Sequence, residues 1–250
     1  MQRWKLTLEY DGGAFLGWQS QPNGRGVQDC VEKAIAHIDG TFARIHVAGR
    51  TDTGVHATGQ VAHCNLAKPW RAWQLREALN AWLLKLGPVT ILDAEPVDDD
   101  FHARFSAKGR VYVFRIIDRR PFLTFDKGKL WRVGVPLDVP AMHEAAQVLV
   151  GTHDFTTFRD GKCQAKSPIK TLDRFDIERV HGLNGSEIRA TIAARSFLHR
   201  QVRSMMGSIG EIGRGNWTKA DLKAALVATD RTRCGPVAPG DGLYLNTVIY

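Results

Sequence analysis

An α+β fold in two halves is what this sequence predicts, and three observations predict it. The first hundred residues alternate segments of period two with segments of helical period, in the order β-α-β-β-α-β. The remainder carries the same kinds of segment without repeating the sequence. A chain of 250 residues that is 44% hydrophobic can bury one large core or two ordinary ones. The expected division gives an N-terminal half over 1–105 and a C-terminal half over 106–250.

Trp4, Leu6, Leu8 and Tyr10 alternate with Lys5, Thr7 and Glu9, the pattern of a half-buried strand that Asp11-Gly12-Gly13 ends. The loop Ala14–Gly26 mixes Phe15, Trp18, Gln19, Gln21 and Arg25. Such a mixture suits base stacking and base-edge hydrogen bonds, or else a loop whose aromatics tuck into the core. Val27, Val31, Ala34, Ile35 and Ile38 recur at helical spacing up to Gly40. Strands are expected at Ile45–Ala48 and Gln60–Asn65, a helix along Leu75, Leu79, Trp82, Leu83 and Leu86 that Gly87-Pro88 closes, and a strand at Val89–Leu92. This is the order of a ferredoxin-like or RRM-like half, with helices on one face of an antiparallel sheet.

In the second half, Val111–Ile117 is apolar on both faces except at Arg115 and reads as a central strand. Arg119, Arg120, Lys127, Lys129 and Arg132 follow on a segment with Pro121 and Gly128, which looks like an electrostatic track for phosphates or a solvated basic loop. Asp138 and Pro140 start a helix through Val150, and Gly151–Phe158 reads as irregular. Strands Ile169–Arg179 and Glu187–Ala194 flank the turn His181–Gly185. Leu198, Val202, Met205, Met206, Ile209 and Ile212 make a long helical stripe, in which Gly207, Gly210 and Gly213 suit close packing or a helix end. Thr218 with Asp221 caps a last helix to Ala228, and Leu243–Tyr250 alternates like a strand.

Lys+Arg 34 against Asp+Glu 26 leaves a net charge of +8, which suits a polyanionic partner such as nucleic acid. Cys30, Cys64, Cys163 and Cys234 lie far apart without a C-x-x-C pair, so neither a disulfide frame nor a zinc site is expected. The chain enters its first strand without an apolar leader, and no run approaches the roughly 18 apolar residues of a membrane span. A cytoplasmic protein is expected.

The stretch with most chemistry is Gly49-Arg50-Thr51-Asp52-Thr53-Gly54-Val55-His56-Ala57. It sets one carboxylate between hydroxyls, a guanidinium and two glycines that can take positive φ, and so turns Asp52 outward from a strand-to-strand loop. The same residues could form a plain Asx turn.

Five pieces together resemble the tRNA pseudouridine synthase A family over essentially the full length. They are Asp11-Gly12 with Phe15 and Gly17-Trp18-Gln19, Gly49–Ala57, Phe101-His102-Ala103-Arg104-Phe105-Ser106, Leu198–Gly207, and Gly242-Leu243-Tyr244-Leu245. The resemblance implies an isomerase that converts uridine to pseudouridine at positions 38 to 40 of the tRNA anticodon stem-loop, without cofactor or metal. It also implies a homodimer whose subunits join two RRM-like halves around a central basic cleft. Residue by residue, Asp52 is similar to the catalytic aspartate, Arg50 to the motif arginine, Tyr112 to the active-site tyrosine, Arg203 to a helix arginine that pairs with the aspartate, and Leu243 to the apolar wall of the uracil pocket. Gly13, Gly26, Cys64 and the run Val111–Phe114 depart from the family pattern, which bears on tRNA contacts rather than on Asp52.

These residue types suit the chemistry. A carboxylate can stabilise positive charge on the ribose or attack covalently. Arg203, four residues after His199 and so one expected helical turn from it, could supply countercharge. Tyr112 offers a ring for the displaced uracil and a hydroxyl near its C5 proton. Flipping a base out of a stem costs a few kcal/mol; Arg50, His56 and Gln19 are candidates to brace the gap, and Arg110, Arg119 and Arg120 to contact RNA. A non-catalytic tandem RRM-like RNA-binding protein is the alternative, but it has no use for a lone acid in a glycine turn. A nucleotide-binding enzyme fails because Gly24-Arg25-Gly26 lacks the third glycine of a dinucleotide fingerprint.

Overall fold

The computed structural model describes residues 1–22, 24–182 and 185–250. Its elements are β1 (Gln2–Tyr10), α1 (Val27–Asp39), β2 (His46–Val47), β3 (His56–Leu66), α2 (Ala72–Leu86), β4 (Val89–Val97), β5 (Gly109–Asp118), β6 (Trp131–Val133), α3 (Val139–Ala146), β7 (Gly151–Asp154), β8 (Ile169–Gly182), β9 (Gly185–Ala194), α4 (Gln201–Gly213), α5 (Lys219–Ala228) and β10 (Leu243–Ile249). The fold is mixed α+β, its strands mostly antiparallel. Two compact units form: Met1–Lys108 with Tyr244–Tyr250, and Gly109–Leu243.

The first unit is built on β3. β1 runs antiparallel along one edge of it, from Gln2 opposite Leu66 to Tyr10 opposite Ala57. Its other neighbours are β2, antiparallel with His46 opposite His63, and β10, parallel with Tyr244 opposite His56. β4 lies antiparallel on β1. The alternation of β1 is literal: Trp4, Leu6, Leu8 and Tyr10 are buried and Glu9 is exposed. α1 buries Val27, Val31, Ala34, Ile35 and Ile38, and ends where Gly40 takes a left-handed φ of 75° that returns its N–H to Ala36 O. α2 buries Leu75, Leu79 and Leu83, while Trp82 turns aside to stack on His37 at 3.9 Å between ring centroids. The strand expected at Ile45–Ala48 is only two residues long. The two neighbouring strands exceed expectation, because the ladder with β1 carries β3 and β4 onward.

In the second unit, β5 pairs with β9, β9 with β8, and β8 with β7, all antiparallel. β5 also receives β6 in parallel, Trp131 opposite Ile116. Residues Gly151–Asp154, expected to be irregular, form β7, and Thr152 Oγ1 meets Thr171 Oγ1 at 2.7 Å across the pair. α3 is capped as expected, since the Asp138 carboxylate accepts the Ala141 N–H at 3.0 Å, but it tightens to a 3-10 turn after Ala146. Two residues of the turn His181–Gly185, Leu183 and Asn184, lie outside the described residues.

α4 is buried on nearly every side, and its glycines are where neighbours touch its backbone. A Cβ at Gly207 would stand 1.7 Å from Pro236 O, one at Gly210 2.7 Å from the Trp131 ring, and one at Gly213 2.6 Å from Met142 Sδ. The helix starts at Gln201, three residues later than the stripe suggests. Arg200 takes a left-handed φ of 58°, and the Gln201 side chain accepts the Leu198 N–H at 2.8 Å. His199 therefore precedes the helix and is not one turn below Arg203.

Candidate active site

The segment between β2 and β3 carries Asp52, and three sets of contacts fix its backbone. Val55 N–H donates to Asp52 O at 3.1 Å, closing a turn in which Gly54 has φ of 77°. Gly54 therefore uses the freedom expected of it; Gly49 is not among the positive-φ glycines. The second set lies beneath. The Tyr10 phenol and the Thr51 hydroxyl are 2.8 Å apart, and Gln60 Nε2 donates to Tyr10 Oη at 3.3 Å and to Gly49 O at 2.8 Å. Full burial pushes the Tyr10 phenol up to about 12 against these hydrogen bonds, so it stays neutral there.

The third set is the loop after β1. Trp18 N–H donates to Thr51 O at 3.0 Å, and a Cβ on Gly17 would stand 2.8 Å from that same oxygen. At Gly12 a Cβ would meet Val55 O at 2.1 Å. These approaches explain why two glycines sit where they do: the loop lies backbone to backbone against the Asp52 segment. Within this loop Phe15 and Trp18, the latter 1% exposed, are core residues. Tucking into the core is thus the reading that holds for both rings, while Leu16 and Gln19 beside them are exposed.

Within the first unit the structure therefore gathers Gln19, Arg50, Asp52 and His56 on two abutting segments. Asp52 is half-buried and Arg50 exposed. His56 is 1% exposed: Gly12 N–H donates to its Nδ1 at 3.0 Å, Asp11 Oδ1 lies 3.1 Å from that nitrogen, and the Tyr244 ring stacks on it at 4.7 Å. In this arrangement His56 supports the loop from below and its ring is closed to a base.

In the second unit, Tyr112 is buried in β5 with the Phe197 ring edge-on at 5.2 Å. Arg110, two residues earlier and also buried, donates to Arg195 O. Arg203 on α4 donates from Nε to Ala238 O at 2.8 Å, and Ala238 N–H returns a bond to Arg203 O at 3.0 Å. Leu243 is buried at the start of β10, its approach fixed by Gly242, whose carbonyl accepts the Arg115 N–H at 2.8 Å. Arg119 donates to Phe122 O at 3.3 Å, and Arg120 is exposed. Among the described residues no group of three or more His, Cys, Asp or Glu is placed to hold a metal ion, and no helix is long and apolar enough to cross a membrane.

The fold is α+β, and the Asp52 turn presents a half-buried carboxylate braced from two sides; the class of protein, an enzyme, follows from what the chain resembles. Comparison with known sequences gives the family. The tRNA pseudouridine synthase family profile matches residues 7–106 and 145–250, and the chain belongs to that family. It is 54% identical over 250 residues to the tRNA pseudouridine synthase A of Maricaulis maris, covering 100% of this chain and 98% of the relative. It is 56% identical over 250 residues to that of Afipia carboxidovorans, covering all of both. The profile leaves out residues 107–144, where Arg110, Tyr112, Arg119 and Arg120 lie, whereas these full-length relatives span them.

Proposed function

We propose that this protein isomerises uridine to pseudouridine at positions 38 to 40 in the anticodon stem-loop of tRNA, with Asp52 as the catalytic carboxylate. The observation that carries the reading is the Asp52 turn itself, tied to Tyr10 and Gln60 below and to Trp18 beside it. A carboxylate held this way can meet a ribose without first ordering its own loop. The N1 to C1′ bond of the nucleotide breaks, the uracil turns, C5 joins C1′, the C5 proton leaves to solvent, and N1 takes up a proton in its place. Asp52 stabilises or captures the electron-poor ribose or base during that exchange.

In this reading Tyr112 stacks on the displaced uracil, Leu243 walls its pocket, Arg203 offers countercharge to Asp52, and Arg50 and Gln19 face the RNA. Residues 1–105 and 106–250 act as two RRM-like halves around a basic cleft, in a cytoplasmic homodimer that needs no cofactor or metal. The full-length relatives named tRNA pseudouridine synthase A support the substrate, and the surplus of basic residues suits its phosphates. The direct test is tritium release from tRNA transcripts labelled at uridine C5, with the modified position read by mass mapping. Wild-type protein that releases none from any tRNA would end the proposal.

A further inference from the structure

Between β5 and β6 the chain makes an excursion over residues 119–130 that belongs to neither span of the family profile. Its feet are firm. Leu130 is buried, Trp131 packs edge-on against Phe114 at 5.8 Å, and the Arg214 guanidinium lies 5.6 Å from the Trp131 ring centroid. The Arg132 side chain reaches back across the base of the excursion, donating from Nε to Pro121 O at 3.0 Å and from Nη2 to Arg120 O. Farther out, Lys129 N–H closes a turn on Asp126 O at 2.9 Å, with Gly128 at φ of 75°.

What this frame holds up is apolar. Phe122 is 81% exposed and Phe125 90% exposed. The Arg132 guanidinium lies 4.4 Å from the Phe122 ring centroid. One ring is thus already stacked on a planar cation, an arrangement that also suits a nucleobase. The same stretch of sequence carries Arg119, Arg120, Lys127, Lys129 and Arg132, with Asp126 as its one acid. Two exposed rings among five cations form a poor surface for a second copy of a chain with net charge +8. They fit an unpaired stretch of RNA, whose bases stack and whose phosphates are neutralised.

We propose that residues 119–132 form an RNA-stacking arm, in which Phe122 and Phe125 receive unpaired tRNA bases other than the reacting uridine. The proposal rests on tRNA being the substrate. The experiment measures binding of unmodified tRNA transcript by the full-length protein, its Phe122→Ala/Phe125→Ala variant, its Phe122→Trp/Phe125→Trp variant and its Arg120→Ala/Lys127→Ala variant, each over a salt series. The alanine pair should weaken binding by roughly tenfold or more with its salt slope unchanged, and the tryptophan pair should bind like wild type. The Arg120/Lys127 variant should instead flatten the salt slope, by about one to two. Unaltered tRNA affinity in the alanine pair would overturn the proposal. So would a change in native mass by light scattering, or loss of sedimentation with phosphatidylserine vesicles, when tRNA affinity is unaltered; the rings would then serve a second copy or a lipid surface. Because both rings are exposed, the alanine pair should melt with wild type, and the tryptophan pair controls for disturbance of the loop. Wild-type tritium release, measured alongside, separates failure of the arm from failure of the proposed activity.

Discussion

Thr51 and Tyr10 are joined by a hydrogen bond of 2.8 Å between a hydroxyl one residue before Asp52 and a phenol inside the core of the first unit. The carboxylate is therefore anchored through its neighbour rather than by its own backbone alone. Replacing Tyr10 by Phe removes that bond and leaves Thr51 and Gln60 short of a partner, at a cost of about 1–3 kcal/mol. The expected result is a lower urea midpoint together with a several-fold fall in kcat, with KM for tRNA nearly unchanged. Equal kcat in the variant would show that Asp52 keeps its place without this anchor.

Asp52→Asn should preserve the fold and tRNA binding while abolishing product. The expected loss in kcat is on the order of 10⁴-fold, the scale on which one essential group in a catalytic unit acts. Tritium release and a binding titration on the same preparation check both halves; turnover near wild type would remove Asp52 from the chemistry.

Phosphate contacts predict a steep salt response. With about six phosphates engaged, tRNA affinity should drop on the order of 10³-fold between roughly 50 and 200 mM salt. A filter-binding series that stays flat would argue that the basic surplus serves something else.

Acid should weaken the first unit through His63. This ring is 4% exposed, its Nδ1 accepts the Ala103 N–H at 3.1 Å, and His46 and His102 lie beside it with ring centroids 5.0 and 4.7 Å away. Burial foremost, then the neighbouring His102, His46 and Arg3, lower its pKa from 6.5 to about 4. The folded protein thus resists a proton that the unfolded chain accepts. Stability is unaffected above about pH 7 and falls as the pH drops from 6.5 toward 4, by about 3 kcal/mol in total. Urea titrations at pH 7.5 and 4.5 measure the loss, and His63→Gln should reduce it. An unchanged difference between the two pH values in that variant would place the acid sensitivity elsewhere.

Two helices are legible to their ends because their signals are local: α1 by Val27 to Ile38 and Gly40, α5 by the Thr218–Asp221 box in which each residue caps the other; α3 and α4 are legible as helices, but the early end of the one and the late start of the other are not. Short strands are not legible. β6 and β7 hold three and four residues and take their conformation from partners, β5 and β8, that no local pattern names. The site divides in the same way. The turn around Asp52 declares itself through its glycines and hydroxyls, whereas its anchorage to Tyr10 and Gln60 needs the register of β1 on β3, in which Leu8 faces Gln60 and a bulge precedes Tyr10. The fate of Phe15 and Trp18 was likewise open in sequence, since an aromatic in a loop reads the same whether it faces RNA or a core. Their close glycine neighbours, Gly12 and Gly17, were the available sign of tight backbone packing.

β10 gives the first unit a dependence on time. Tyr244 and Leu245 lie alongside His56 and Ala57, the opening residues of β3 that follow directly on the Asp52 turn. On a ribosome adding about 5–20 residues per second, everything from residue 109 to 243 must be made before that strand arrives, a wait on the order of ten seconds. Until then the nascent polypeptide shows a bare strand edge and an uncovered imidazole beside the Asp52 turn. The Asp52 turn thus gains this neighbour only after the whole of the second unit has been translated.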